Sequence, residues 1–257
     1  ELRDALTDDT ALVSIMAANN ETGVLFPIDK IAVIVKARGI PLHVDAVQAA
    51  GRLPLDMRAL PVDLLTISAH KFHGPKGVGA LYVRRGITFP PFIIGGHQER
   101  NRRAGTENVA GIVGMGQAAE IALARFAEDS ERIGKLRNRL EESLLRSCPE
   151  CRVNGQRQSR LPNTSNVSFR YLEGESILVL LDQNGICAST GSACTAGSSE
   201  PSHVLRAMGL AAEIFTDARI RELPGAAAIG HTRYSTAGDT ALLNAQPFAV
   251  ACNKGQI

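Results

Sequence analysis

Apolar runs alternate with helical patterns over the first half of the chain. ALVSIMA (11–17), IPLHVD (40–45), VDLLTISAH (62–70) and VGALYVRR (78–85) read as strands, and a helical stretch begins near Pro27. This alternation predicts an α/β layer architecture with a largely parallel sheet. From about Thr106 to Arg146 the chain is rich in Ala, Leu, Glu and Arg at helical spacing, which predicts one or two helices, with Gly111, Gly114, Gly116 and Gly134 as bend points. Shorter elements follow: a strand in NTSNVSFR (163–170), a helix in GESILVLLDQNG (174–185), and a polar loop of small residues from Ser189 to Ser199. They predict a smaller α+β domain. From about Ala212 the character changes again, with strand-like GAAAIGHTRYS (225–235) and PFAVAC (247–252). There is no internal repeat.

Composition narrows the functional classes. The 257 residues are 44% hydrophobic, enough for a buried core, and carry 28 basic and 26 acidic side chains for a net charge of +2. The charges are dispersed, with no basic block suited to phosphate backbones, so nucleic acid is not an expected partner. No run approaches the roughly 20 apolar residues of a membrane span, and the opening ELRDALTDDT lacks the features of a signal peptide, so a cytoplasmic protein is expected. Five irregularly spaced cysteines do not resemble a disulfide scaffold, which directs attention to thiol chemistry.

The strongest local chemical signal is SAHK (68–71), at the end of a predicted strand and before a glycine-rich turn. Lys71 there could present its amine to an aldehyde cofactor as a Schiff base, with Ser68 and His70 donating to a phosphate. A surface lysine after a buried strand explains SAHK alone equally well. HVDAVQ (43–48) places Asp45 at the end of another predicted parallel strand, and Gln48 one turn on if a helix starts there. Ligands of open α/β sheets bind at the carboxyl ends of the strands, so Asp45 and Lys71 could face one crevice. A carboxylate against a pyridine nitrogen keeps that nitrogen protonated; as a single residue, Asp45 also fits a helix N-cap. Cys194 lies in SACTAGSSEPS, a loop with little capacity to pack, as a mobile attacking thiolate requires. CPEC (148–151) has no second cysteine pair at zinc-site spacing, and Cys187 reads as a core residue.

Five segments in order, AANNETG (17–23), HVDAVQAAGRLPLD (43–56), SAHKFHGPKGVGALYVRRG (68–86), GGHQERNRRAGTENVAGIVGMG (95–116) and STGSACTAGSSEPSHVLRAMGL (189–210), resemble the NifS/IscS-type cysteine desulfurases. The resemblance spans roughly residues 1–212. It implies a fold type I transferase dependent on pyridoxal 5′-phosphate: a homodimer that converts L-cysteine to L-alanine through a cysteine persulfide and passes sulfur to an acceptor or scaffold protein for iron–sulfur cluster and thio-cofactor assembly. By matching position, Lys71 resembles the Schiff-base lysine, Asp45 the pyridinium partner and Gln48 the donor to the ring hydroxyl. Ser68 and His70 match phosphate ligands, and Thr106 a phosphate contact reaching across the dimer. Asn20 matches the asparagine near the cofactor and substrate carboxylate, and Cys194 the persulfide carrier. The chain begins at Glu1, inside the family pattern, which implies an N-terminal truncation that omits a ring-stacking histidine and a phosphate loop. The implied domains are a partial cofactor-binding large domain (1–125), a small domain with the cysteine loop (126–212), and a separate C-terminal fragment (213–257).

That last fragment resembles the glutaminase domain of amidophosphoribosyltransferase, through HTRYST (231–236) and NAQPF (244–248), with Arg233 matching the glutamine-carboxylate ligand. The N-terminal nucleophilic cysteine of that family is absent from it, so glutaminase activity is not expected. Two competing readings remain: an amidotransferase-related fragment, or a catalytically dead interaction protein.

Overall fold

The computed structural model describes residues 1–191, 202–207, 232–233 and 246–247. The chain divides into two compact units, Glu1–Ser168 and Phe169–Ile257.

The first unit is built on a four-stranded sheet in the order β1 (Val13–Met16), β2 (Leu42–Asp45), β3 (Leu64–Ser68), β4 (Gly79–Val83). β1, β2 and β3 are parallel, and β4 returns antiparallel to β3. The helices begin with α1 (Leu2–Ala5) and α2 (Ile28–Lys36), the latter between β1 and β2. Alternation explains β2: Leu42 and Val44 are 0% and 2% exposed, whereas His43 and Asp45 between them point to the opposite face. α2 answers this pattern with Ile31, Ala32 and Val35, which are buried against Leu42, Val44, Val62 and Leu65 in the main core. Leu42→Ala empties a fully buried site and should cost about 3 kcal/mol, read as a lowered urea midpoint at constant slope.

A 3₁₀ turn at Ala69–Phe72 follows β3, and after the short turn α3 (Gln98–Asn101) comes α4 (Val109–Ser147), a single helix of 39 residues. The glycines expected to bend it do not interrupt it. Gly114 instead admits Pro75, whose Cγ would lie only 2.7 Å from a Cβ at that position. Ala118 of α4 is buried with Ala50, Ala69 and Phe72 in a second, small core cluster. α4 also holds an 18-residue window of mean hydropathy 1.2, a length and composition that core helices of soluble proteins share. β5 (Cys151–Val153) and β6 (Val167–Phe169) form a two-stranded sheet; β5 carried no clear sequence signal.

In the second unit are α5 (Gly174–Gln183), α6 (His203–Ala207) and the antiparallel pair β7 (Thr232–Arg233) and β8 (Gln246–Pro247). Cys187, expected in a core, is exposed. It follows the left-handed turn at Gly185 (φ 70°), beside Ile186, which is itself 52% exposed, so no described element covers this apolar step.

Candidate functional site

β1, β2 and β3 run parallel, so their carboxyl ends lie along one edge of the sheet. Met16 is in register with Asp45, and Asp45 with Thr66, two residues before Ser68. The sequence-predicted residues Asp45 and Ser68, on adjacent strands, and Lys71, in the turn that follows β3, are thereby brought to the same edge.

Asp45 is exposed at the end of β2. Its Oδ1 accepts from the Val47 N–H at 2.9 Å, an Asx turn that points the chain away from the sheet. Oδ2 takes no hydrogen bond among the described residues. No helix starts after Asp45: residues 47–52 form successive turns, in which the Ala49 and Ala50 N–H groups both donate to the Ala46 carbonyl. Gln48 lies half-buried in these turns, and its carbonyl accepts from Arg52 Nη1 at 3.3 Å.

The 3₁₀ turn explains how Lys71 is presented. Residues three apart eclipse one another in such a turn. Ala69 (0% exposed) and Phe72 (5%) point into the small core cluster, so His70 and Lys71 are carried on the outward side. His73, at φ 69°, ends the turn in the left-handed region. Ser68 Oγ and His70 Nδ1 are 2.8 Å apart, so the two phosphate candidates already contact each other.

Asn20 is exposed in the loop after β1, at the same end of the sheet. Its neighbour Asn19 shapes that loop. Asn19 is buried, and its Oδ1 accepts from the Glu21 and Thr22 N–H groups at 2.9 Å each and from Thr22 Oγ1 at 3.1 Å. Sequence reasoning missed this role, although an Asn two residues ahead of Glu-Thr-Gly is placed to accept from the N–H groups of the turn. Thr106 is exposed just ahead of Asn108, the N-cap of α4, and its carbonyl accepts from Arg103 Nη1 at 3.4 Å. No described contact joins Thr106 to the sheet edge. Cys194, and with it the expected sulfur-carrying loop beyond Gly191, lies outside the described residues.

A second missed residue is His43, on the same face of β2 as Asp45. Its Nδ1 is 2.7 Å from Ser14 Oγ on β1 and its Nε2 is 3.3 Å from Thr66 Oγ1 on β3, a polar bridge across three strands. Burial holds the imidazole below its ordinary value of 6.5, with the charge of Asp45 pulling the other way. The folded chain therefore binds this proton less readily than the unfolded chain. The resulting stability is complete above about pH 6.5 and is lost as the pH falls through and below that value. His43→Gln should flatten the dependence of the denaturation midpoint on pH between about pH 7 and pH 5; an unaltered slope would contradict this assignment.

Cys148 and Cys151 are half-buried free thiols. Cys151 Sγ donates to the Leu144 carbonyl at 3.5 Å, and burial, with Cys148 beside it, pushes this thiol above its usual range, away from thiolate character.

The aminotransferase class-V family matches residues 1–234, past the limit of about 212 read from the sequence. A cysteine desulfurase of Nostoc sp. is 61% identical over 210 residues, covering 82% of this chain and 52% of the relative. The cysteine desulfurase NifS of Azotobacter vinelandii is 50% identical over 230 residues, 90% of this chain and 54% of that protein. The chain thus spans about half the length of the curated relatives it matches. Among solved structures, a NifS-like protein superposes with a TM-score of 0.75 at 42% identity, over 83% of this chain and 55% of that one. A NifS-like protein from Rickettsia africae gives 0.73 at 37% identity, over 81% and 55%. The architecture is the α/β fold type I of pyridoxal-phosphate enzymes, here with three parallel strands and one antiparallel strand. By sequence and by fold, this chain belongs to the aminotransferase class-V family.

Proposed function

We propose that the chain carries the cofactor face of a pyridoxal-phosphate-dependent cysteine desulfurase, converting L-cysteine to L-alanine and passing sulfur to an acceptor or scaffold protein for iron–sulfur cluster and thio-cofactor assembly. The observation that carries this reading is the placement of Asp45 and Lys71 at the carboxyl ends of adjacent parallel strands, with Ser68 and His70 between them along the chain. The donor set fits the cofactor: an amine for an aldehyde, a carboxylate for a ring N–H, and a hydroxyl–imidazole pair for a phosphate.

Pyridoxal phosphate, when bound, supplies an electron sink for negative charge developing at the substrate Cα. The chain supplies the rest. Lys71 would hold the cofactor through its amine and, with that amine free, would carry the substrate Cα proton. Asp45 would accept the ring N–H and favour its charged form, Gln48 would donate to the ring hydroxyl, and Ser68 and His70 would donate to the phosphate, joined by Thr106 of a second subunit. Asn20 orients the substrate carboxylate. The Cys194 thiolate would attack the substrate sulfur: a Cys194–sulfur bond forms, the Cβ–Sγ bond breaks with its electron pair left on carbon, and one proton delivered to Cβ and one returned to Cα yield alanine. Homodimer formation, a cytoplasmic setting and the domain limits at about 125 and 212 belong to the same proposal.

The test combines the visible spectrum of the chain with added pyridoxal phosphate, sulfide release from L-cysteine, and alanine formation in step with sulfide. Cofactor binding without sulfide release would keep the fold assignment and remove the activity.

For the C-terminal stretch, pairing of β7 with β8 supports a separate reading. The two strands belong to HTRYST and NAQPF, the motifs that resemble a glutaminase domain. We propose a non-catalytic fragment of that kind there. Glutamine hydrolysis by the chain would overturn it.

A further inference from the structure

Glu141 is 0% exposed on α4, whose neighbouring positions are largely solvent-facing. A carboxylate withdrawn from water persists only with close partners. Arg160 Nη2 donates to Glu141 Oε2 at 2.8 Å and Ser165 Oγ donates to Oε1 at 2.8 Å, while Arg157 Nη2 stands 3.9 Å away. The Arg160 side chain is itself 1% exposed. From the next turn of the helix, Arg137 Nη1 donates to the Leu161 carbonyl at 2.6 Å. α4 thus grips the segment 157–165 by its side chains and by its backbone.

That segment in turn grips the loop that follows β1. The Leu25 N–H donates to the Ser159 carbonyl at 3.0 Å, Val24 and Arg160 form an antiparallel bridge, and the Leu161 N–H donates to the Gly23 carbonyl at 2.8 Å. Asn166 Nδ2 adds a bond to the Glu21 carbonyl at 3.3 Å. The approach is close enough to require glycine: at Gly23 (φ +72°) a Cβ would lie 2.7 Å from Thr164 Cβ. The loop so held, residues 19–25, is the one that carries Asn20. Asn19 ties it together from within, and the 159–166 segment fixes it from outside.

A second feature argues that the ion pair serves geometry. Arg160 Nε and Nη1 are buried without a hydrogen-bond partner among the described residues. A well-packed apolar pair of the same volume would avoid that cost, so stability alone does not account for the pair. A charge-assisted bond has what an apolar contact lacks, a defined direction and register.

We infer that Glu141 and Arg160 are positioning residues, which set the register of the 159–166 segment and through it the place of Asn20 at the sheet edge. Neither residue contacts the sheet edge; the functional part of the inference rests on the reading of Asn20 as a site residue.

The test is the double variant Glu141→Leu/Arg160→Met, in which no buried charge is left unpaired. Its urea midpoint should stay close to that of the unaltered chain. Amide exchange, measured without added cofactor, should accelerate at least roughly tenfold at Glu21, Thr22 and Gly23 relative to Val44 and Leu65. Glu141→Gln, a milder change that keeps the shape, should shift the same amides in the same direction, and Glu141→Asp should restore part of the protection. Unchanged protection at residues 21–23 in the double and Gln variants overturns the inference, as does acceleration equal to that at Val44 and Leu65. A separate titration with pyridoxal phosphate and L-cysteine examines the functional reading: a raised KM with the cofactor band intact is expected. A loosened loop with unaltered KM leaves the positioning role in place and removes Asn20 from the substrate site.

Discussion

If the proposed function holds, Lys71→Ala is expected to abolish the visible absorbance that added pyridoxal phosphate acquires on the unaltered chain, and all sulfide release from L-cysteine with it. The expectation follows from how the 3₁₀ turn divides its side chains. Ala69 and Phe72 anchor the turn in the core, whereas Lys71 is carried on the outward side and is not part of the hydrophobic cluster. Removing its amine leaves the anchoring contacts in place, and the change in folding stability should remain within about 0.5 kcal/mol. A lost band is then a chemical result. Lys71→Arg should lose the band as well, because a guanidinium keeps the charge but not a nucleophilic amine. The exposed Lys76, on the same glycine-rich stretch, is the control, and its replacement by alanine should leave the spectrum unchanged. A band that survives in Lys71→Ala but disappears in Lys76→Ala would move the attachment point and sink the assignment.

The second large effect is expected at Asp45. Asn at this position can still accept the Val47 N–H that Asp45 Oδ1 accepts at 2.9 Å, so the Asx turn and the end of β2 are retained. What disappears is the negative charge. A preorganised charge facing the group on which charge develops is the largest single contribution in many enzymes. Asp45→Asn should therefore lower kcat/KM for sulfide release by about a thousandfold, with a much smaller change in the urea midpoint. Asp45→Glu, which restores charge one methylene away, should recover part of the loss. Full activity in Asp45→Asn would show that the ring nitrogen finds its partner elsewhere. The same variant bears on His43. With the neighbouring carboxylate neutral, the opposing pull on the imidazole is gone, and burial should hold its titration lower still.

These expectations depend on parts of the molecule that were legible to different degrees in the amino-acid sequence. The four strands and α2 were plain, because each buries one face and alternation or helical spacing records it; Leu42 and Val44 against His43 and Asp45 is the clearest case. SAHK and HVDAVQ stood out because both follow apolar runs. Whether a helix starts after Asp45 stayed open in the sequence: Ala46, Val47, Ala49 and Ala50 have the composition for one, but the Asx turn at Val47 redirects the backbone. Local propensity is a weak prior beside a side chain that captures the next N–H group. The glycines of α4 leave the helix uninterrupted, and one sequence does not show what comes close to a glycine: at Gly114 it is Pro75.

Glu141 and Arg160 were invisible for a related reason. Their importance lies in being buried together, and in sequence they read as ordinary polar residues of a helix and a loop. Glu141 and Arg160 are 19 residues apart, and their segment meets Asn166 and Glu21 across a separation of 145. What the sequence by itself determined was the order of elements and the family resemblance of its motifs, with Lys71 and Asp45 as candidates, because periodicity and short motifs are local properties. Only the tertiary structure decided that β2 and β3 end side by side, that His43 bridges three strands, and that a buried ion pair on α4 supports a loop on the sheet. Long-range contact places charge and hydrogen-bond direction in space, and no local pattern of residues encodes which distant partner will satisfy a buried group.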